Sequence, residues 1–139
     1  MSINNATIIP RSSTPMLTGV LRIVTGLLLL EHGTGKLFSF PDLSAMRPMM
    51  GDGLFYFTGG VELIGGLLIV VGFLTRPTAF VLSGMMAVAY WTAHAPKSFF
   101  PAVNGGDAAV LFCFLFLFFA LVGGGPWSLD ARRTFKIWP

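Results

Sequence analysis

LRIVTGLLLLEHGTGK, residues 21 to 36, is hydrocarbon over most of its length and yet carries Arg22, Glu31, His32 and Lys36. An apolar segment of this length reads as a membrane-spanning helix, and inside a bilayer ionisable side chains are tolerated when they face a bundle interior or reach an interface. The fold therefore follows from where these charges point and what meets them.

The chain around the segment has 139 residues, of which 54% are hydrophobic and 11% charged, with a mean hydropathy of +0.76. Soluble domains carry about a quarter charged residues. The apolar residues fall into blocks at 16–37, 54–74, 78–95 and 107–123, each closed by a glycine, proline or charged break. A hydrocarbon core of roughly 30 Å needs about 20 helical residues and about 17 at the least, so each block is near spanning length, and the last spans only with Asp107 at an interface. A soluble bundle is the competing architecture, but so short a chain has too little polar sequence to cover helices that are apolar all round. The expected fold is all-α: a single membrane domain over 1–139 forming an antiparallel four-transmembrane-helix bundle, with short up-down-up-down connections.

The polar start, MSINNATIIPRSSTP, leads into an apolar stretch that runs past any small-residue cleavage pattern, so that stretch reads as a retained first helix. Alternation of the spans places Arg11, Arg76, Arg132, Arg133 and Lys136 on one side and Lys36, Arg47 and Lys97 on the other, which favours cytoplasmic termini. The tail GGGPWSLDARRTFKIWP reads as a stop followed by a short interfacial helix capped by Ser128, with Trp127 and Trp138 at headgroup depth. Basic residues at helix ends need no nucleic-acid partner. Cys113 is the single cysteine, so no disulfide, CxxC pair or iron–sulfur site can form within one chain.

At about 100° per residue, Arg22, Gly26, Leu29, Gly33 and Lys36 share one face of the first helix, and Gly59, Glu62, Gly66, Ile69 and Phe73 share one face of the second. Glycines beside a charge mark the close approach of a neighbouring helix. Ser83, Ala87, Tyr90 and His94 align on the third helix, and Asp107, Leu111, Phe114 and Phe118 on the fourth. In the alternating topology His32, Lys36, Glu62, His94, Lys97 and Asp107 gather in the outer half. Arg22 lies deeper, and an intramembrane ion pair between Arg22 and Glu62 is the expected resolution of both charges, whether it fixes helix register or serves a ligand. Lys36, Lys97 and Asp107 read either as the rim of a polar pocket or as interfacial residues. Glu31 points away from Arg22, toward the interface or a neighbouring protomer. Met46, Met49 and Met50 read as an interfacial loop, with soft-metal binding as the alternative; no metal site is expected.

R-I-V-T-G at 22–26, H-G-T-G-K-L at 32–37, G-G-V-E-L-I-G-G at 59–66, G-F-L-T-R-P at 72–77, the N-G-G-D that opens the fourth helix and G-P-W-S-L-D at 125–130 stand in an order and spacing that resemble the DoxX family of small bacterial membrane proteins. The resemblance implies a multi-pass protein of the bacterial inner membrane linked to redox chemistry, since relatives include a small subunit of a thiosulfate:quinone oxidoreductase and quinone-response proteins. Asp107 departs from the glutamate common there, and Glu31 from an apolar residue.

With that implication, His32, Glu62, Tyr90, Trp91 and His94 form a candidate quinone-like ligand site, supplying hydrogen bonds and a proton route beside an aromatic slot. Axial haem ligation by the two histidines is the alternative. The expected function is an accessory, anchoring or quinone-binding subunit of a membrane oxidoreductase system, with no intrinsic cofactor beyond a possible quinone; lipid, a soluble oxidoreductase and a second copy are the expected partners. The rival is a small transporter or channel with a polar intramembrane path. The topology is testable: on intact cells, a membrane-impermeant thiol reagent should modify cysteines placed at Ser44 or Ser98 and spare those at Ser12 or Thr134, and strong labelling at Ser12 would invert the orientation.

Overall fold

The computed structural model describes residues 13–133. Arg11, Ser12, Thr134, Lys136 and Trp138, used above for orientation, lie outside the described residues. Within them the chain is all-helical, with no strand. Helix α1 (Thr14–Phe38) is followed by a 3₁₀ turn (Ser44–Met46) and the short α2 (Arg47–Met50). Next come α3 (Asp52–Val71) and α4 (Thr75–Ala89), which continues without a break into a π turn (Tyr90–His94). The chain then forms α5 (Pro101–Asn104), α6 (Asp107–Val122) and α7 (Leu129–Arg132).

Pro15 stands in the first turn of α1, where its missing N–H is no loss. Gly72 closes α3 in the left-handed region at φ 69°, its N–H donating to carbonyls of Leu68 and Ile69. The reversal into α4 follows at once. Asp130 completes that reversal from far along the chain: its carboxylate accepts from the backbone N–H groups of Leu74 at 2.9 Å and Thr75 at 2.8 Å. These are donors at the start of α4 that the helix itself leaves unpaired. Ser128 accepts the N–H of Ala131 and so caps α7.

The glycines of α1 and α3 set how those helices meet. A Cβ at Gly33 would lie 2.5 Å from the backbone nitrogen of Leu63, and one at Gly59 would lie 2.8 Å from Lys36 Cβ. Gly26 sits on Ile69 and Val70, and Gly66 on Leu30. As the number rises along α1 the facing number on α3 falls, so the two run in opposite directions with their backbones nearly touching. Helices α4 and α6 also pass in opposite directions, with Gly123 beside Arg76, Ser83 Oγ donating to Cys113 O at 2.8 Å, and Gly106 against the Tyr90 ring. Between the pairs lies a core of Leu29, Ile69, Ala79, Leu82, Met86, Phe112, Phe116 and Phe119.

The outside is as apolar as the inside. Leu17, Val24, Leu28, Phe57, Ile64, Phe80, Val88, Leu111, Phe114 and Leu121 are all exposed. An apolar mantle of this extent requires lipid or another protein around it. Helices α1 and α3 are each long and apolar enough to cross a membrane; α6 is a shorter apolar helix.

The faces expected on α1 and α3 are buried from Arg22 to Lys36 and from Gly59 to Ile69, whereas Phe73, expected on the same face of α3, lies beyond the helix end and is half-buried. The face expected on α6 is not. Asp107, Leu111, Phe114 and Phe118 are exposed, and Ala109, Phe112, Phe116 and Phe119 turn inward instead. Asp107 is the one charged residue of α6, and charge marks the end of this helix and not its inner face. It occupies the first turn, where a carboxylate favours the positive end of the helix dipole and remains in the polar zone.

A packing prediction follows from the glycines. Gly33→Ala pushes a methyl into the α3 backbone and should lower stability by about 1–3 kcal/mol. Gly60→Ala meets nothing within 4 Å and should be neutral or stabilising by up to about 1 kcal/mol. Thermal unfolding in detergent distinguishes the two, and equal melting temperatures would refute the close-approach reading.

Candidate functional site

The register that puts Gly33 on Leu63 also brings the end of α1 beside the early turns of α3. Lys36 and Glu62 meet there. Lys36 Nζ donates to Glu62 Oε1 at 2.8 Å and to Thr58 Oγ1 at 3.0 Å, and the side chains are only 3% and 5% exposed. The Thr58 hydroxyl in turn donates to the carbonyls one turn earlier, Leu54 O at 2.9 Å and Phe55 O at 3.1 Å. Glu62 Oε2 is buried and has no hydrogen-bond partner among the described residues.

Glu62 and Lys36 form part of the wall of a cavity of about 170 Å³. Leu29, Met86, Phe112 and the alanines 89, 93, 108 and 109 make its apolar sides, and Met46 and Met50 close it from the loop between α1 and α3. His32 and His94 complete the polar lining. His32 Nδ1 lies 2.9 Å from Leu28 O, and its ring stands edge-on to Phe112 with centroids 5.9 Å apart. His94 Nδ1 lies 3.2 Å from Asn104 O. The π turn carries Ala93 and His94 into this wall, with Ala95 N–H reaching back five residues to Tyr90 O at 2.8 Å. Such one-turn widenings are common at functional sites.

Of the residues singled out in the sequence, the cavity brings together His32, Lys36, Glu62 and His94. Tyr90 is buried, but its hydroxyl donates to Phe99 O at 2.8 Å and it supports the loop before α6 rather than lining the cavity. Trp91 is 62% exposed on the outer surface; the π turn directs it away from the cavity that His94 lines. Lys97 and Asp107 are exposed and line no part of it, so the rim expected from them is absent, and Lys36 is a buried member of the site instead. Glu31 is exposed, as its position opposite Arg22 requires. Met46 and Met50, read from sequence as an interfacial loop, cover the cavity.

The expected Arg22–Glu62 pair does not form. Arg22 is fully buried, and its guanidinium donates to backbone carbonyls only: Gly124 at 2.7 Å, Ile69 at 2.5 Å, Val70, and Trp127 at 3.1 Å. Ile69 and Val70 belong to the last turn of α3, whose unpaired carbonyls form the negative end of the helix dipole. A cation there is stabilised by these carbonyls, and the Asp130 carboxylate lies close enough to add a favourable charge interaction. Glu62 stands about 10 Å higher along α3, at a rise of about 1.5 Å per residue, and Lys36 is the cation at its level. The register of α1 on α3 therefore pairs Glu62 with Lys36 and leaves Arg22 to the carbonyls.

Helices with an apolar mantle, and charges that are paired or carbonyl-bound inside it, define an integral membrane protein built around a small polar cavity. The DoxX family model matches residues 17–95, which carry α1 to α4 and the π turn. A protein of Haemophilus influenzae described as an uncharacterized protein is 38% identical over 126 residues, covering 88% of this chain and 93% of its own length. No solved structure matches. The chain belongs to the DoxX family and is a DoxX family membrane protein. The family match contains His32, Lys36, Glu62 and His94, and ends before the α6 wall of the cavity.

The geometry predicts which charges are coupled. Removing one partner of a buried pair is destabilising by about 3–5 kcal/mol, so Lys36→Met and Glu62→Leu should each lower stability strongly, and the double variant should recover much of the loss. Arg22→Met with Glu62→Leu should instead be additive within about 0.5 kcal/mol. A double-mutant cycle by thermal or denaturant unfolding checks both, and strong Arg22–Glu62 coupling would contradict the assignment.

Proposed function

We propose that the protein is the quinone-binding, accessory subunit of a membrane redox system, spanning the bacterial inner membrane as an antiparallel bundle of α1, α3, α4 with its π turn, and α6. The observation that carries this reading is the cavity itself. A space of about 150 Å³ lined by apolar side chains is enough to hold one six-membered ring, and this one measures about 170 Å³. Its flat aromatic wall at Phe112, its alanine sides and its oxygen- and nitrogen-bearing corners at Glu62, Lys36, His32 and His94 suit a ring with polar substituents.

When bound, a quinone supplies two-electron, two-proton chemistry that this chain's residues do not. The residues hold and orient the ring: Lys36 has a third N–H beyond those given to Glu62 and Thr58, and the imidazoles flank the same space. The apolar walls pack against the ring. Electrons come from a partner, which makes the chain a subunit and not a complete oxidoreductase. The channel reading is disfavoured by the packing below the cavity, where Leu29, Ile69, Leu82, Phe116 and Phe119 are 0–1% exposed and separate the cavity from Arg22.

Binding is tested with the full-length protein in lipid nanodiscs, titrating a short-chain benzoquinone by calorimetry against empty nanodiscs. Saturable binding should be abolished by Ala93→Phe, which fills the cavity, and little changed by Glu31→Gln or Trp91→Phe, which lie outside it. Failure to saturate, or indifference to Ala93→Phe in a folded variant, would refute the proposal.

A further inference from the structure

The cavity's polar atoms are mostly acceptors. Glu62 Oε1 receives Lys36, and Oε2 is a buried oxygen with no hydrogen-bond partner among the described residues, on a residue only 4% exposed. The histidines point the same way. A backbone carbonyl has lone pairs and no proton, so the nitrogen facing it must carry the hydrogen. His32 Nδ1 faces Leu28 O and His94 Nδ1 faces Asn104 O. In each neutral ring the remaining nitrogen, Nε2, is then an acceptor. Against Glu62 Oε2 and two Nε2 atoms stands one donor, the third N–H of Lys36.

We infer that the cavity selects the reduced, hydroxyl-bearing ring, a hydroquinone, over the quinone; this deepens the ring-binding reading and rests on it. A quinone brings two carbonyl acceptors. One can take Lys36, and the other meets lone pairs while Glu62 Oε2 stays unpaired, a state that is unfavourable in a dry site. A hydroquinone brings two O–H donors and keeps lone pairs for Lys36. One hydroxyl suits the carboxylate in a charge-assisted bond, and the other an imidazole Nε2. A site built to bind a hydroxyl discriminates sharply against an analogue that lacks it, because its own buried groups are then left unmet. One charge-assisted hydrogen bond sets the preference at about tenfold or more. Tighter binding of the reduced form raises the midpoint potential of the bound couple, by about 30 mV for each tenfold in a two-electron couple. The subunit thereby acts as a holder of quinol.

The test uses the full-length protein in nanodiscs under anaerobic conditions, with three ligands of one ring shape: a short-chain benzoquinone, its hydroquinone, and the dimethyl ether of that hydroquinone, which keeps the ring and removes both O–H donors. The hydroquinone should bind at least about tenfold tighter than the quinone, and the ether no better than the quinone. Glu62→Gln, whose amide offers an N–H, should bring the affinities for hydroquinone and quinone together. The ether comparison decides the matter in the wild-type protein if that variant does not fold. Equal or reversed affinities for quinone and hydroquinone overturn the selectivity and leave ring binding standing; no saturable binding of any of the three overturns ring binding itself.

Discussion

The close approach of α1 to α3 is the constraint on which the rest of the molecule depends. Gly33 and Gly66 let one backbone rest on the other, and the fit admits only one register because a shift by a turn would drive leucines into the places the glycines leave. Register then fixes which charges are neighbours. It sets Lys36 at the height of Glu62, where a lysine that could otherwise have reached the interface becomes a buried counter-ion, and it sets Arg22 at the open end of α3. Lys36 stands three residues from Gly33 and Glu62 four from Gly66, whereas Arg22 lies eleven residues from Gly33, so the glycines fix partners both near and far along the helices. In lipid, where burial of apolar surface offers little to hold helices together, such backbone proximity and the polar contacts it permits are the main sources of specificity.

Much of this arrangement can be read in the sequence, and the parts that cannot share a cause. The inner faces of α1 and α3 are marked by contrast, since glycine and charge recur at helical spacing in an otherwise aliphatic run. Helix α6 has no such contrast. FCFLFLFF is apolar on every side, so its orientation is decided by shape, with Phe112, Phe116 and Phe119 filling the space that α4 leaves, and hydropathy carries no record of shape. Asp107, chosen as the guide for want of another, reports the end of the helix and not its face. The pairing of Glu62 failed for a related reason: depth counted along isolated helices places Arg22 and Lys36 both within conceivable reach, and only the register between helices separates them. The π turn at Tyr90 to His94 has no residue signature at all, although it decides that His94 faces the cavity and Trp91 does not.

The cavity and the Arg22 site use the same kinds of groups to opposite ends. Around Arg22 the guanidinium's donors are matched by carbonyls from α3 and from the loop after α6, although the buried Thr75 hydroxyl beside Gly124 has no hydrogen-bond partner among the described residues. Around Glu62 the matching is partial: Lys36 satisfies one oxygen and leaves the other. A fully matched buried network rigidifies a fold, whereas a partly matched one is unfavourable unless something else completes it. The two sites stand at opposite ends of the apolar core, so the matched guanidinium ties the helices together at one end while the carboxylate at the other keeps an acceptor to offer.

The partners of Arg22 also impose an order on how the chain is made. Ile69 and Val70 lie 47 and 48 residues after Arg22, while Gly124 and Trp127 lie 102 and 105 residues after it. At a synthesis rate of about 5–20 residues per second the last carbonyls reach the ribosome's exit some 5 to 20 seconds after the arginine. Until then the guanidinium is half-solvated by the first hairpin alone. The GGGPW segment thus supplies the last of the arginine's partners: a chain truncated before it leaves the guanidinium of the first helix without the carbonyls of Gly124 and Trp127.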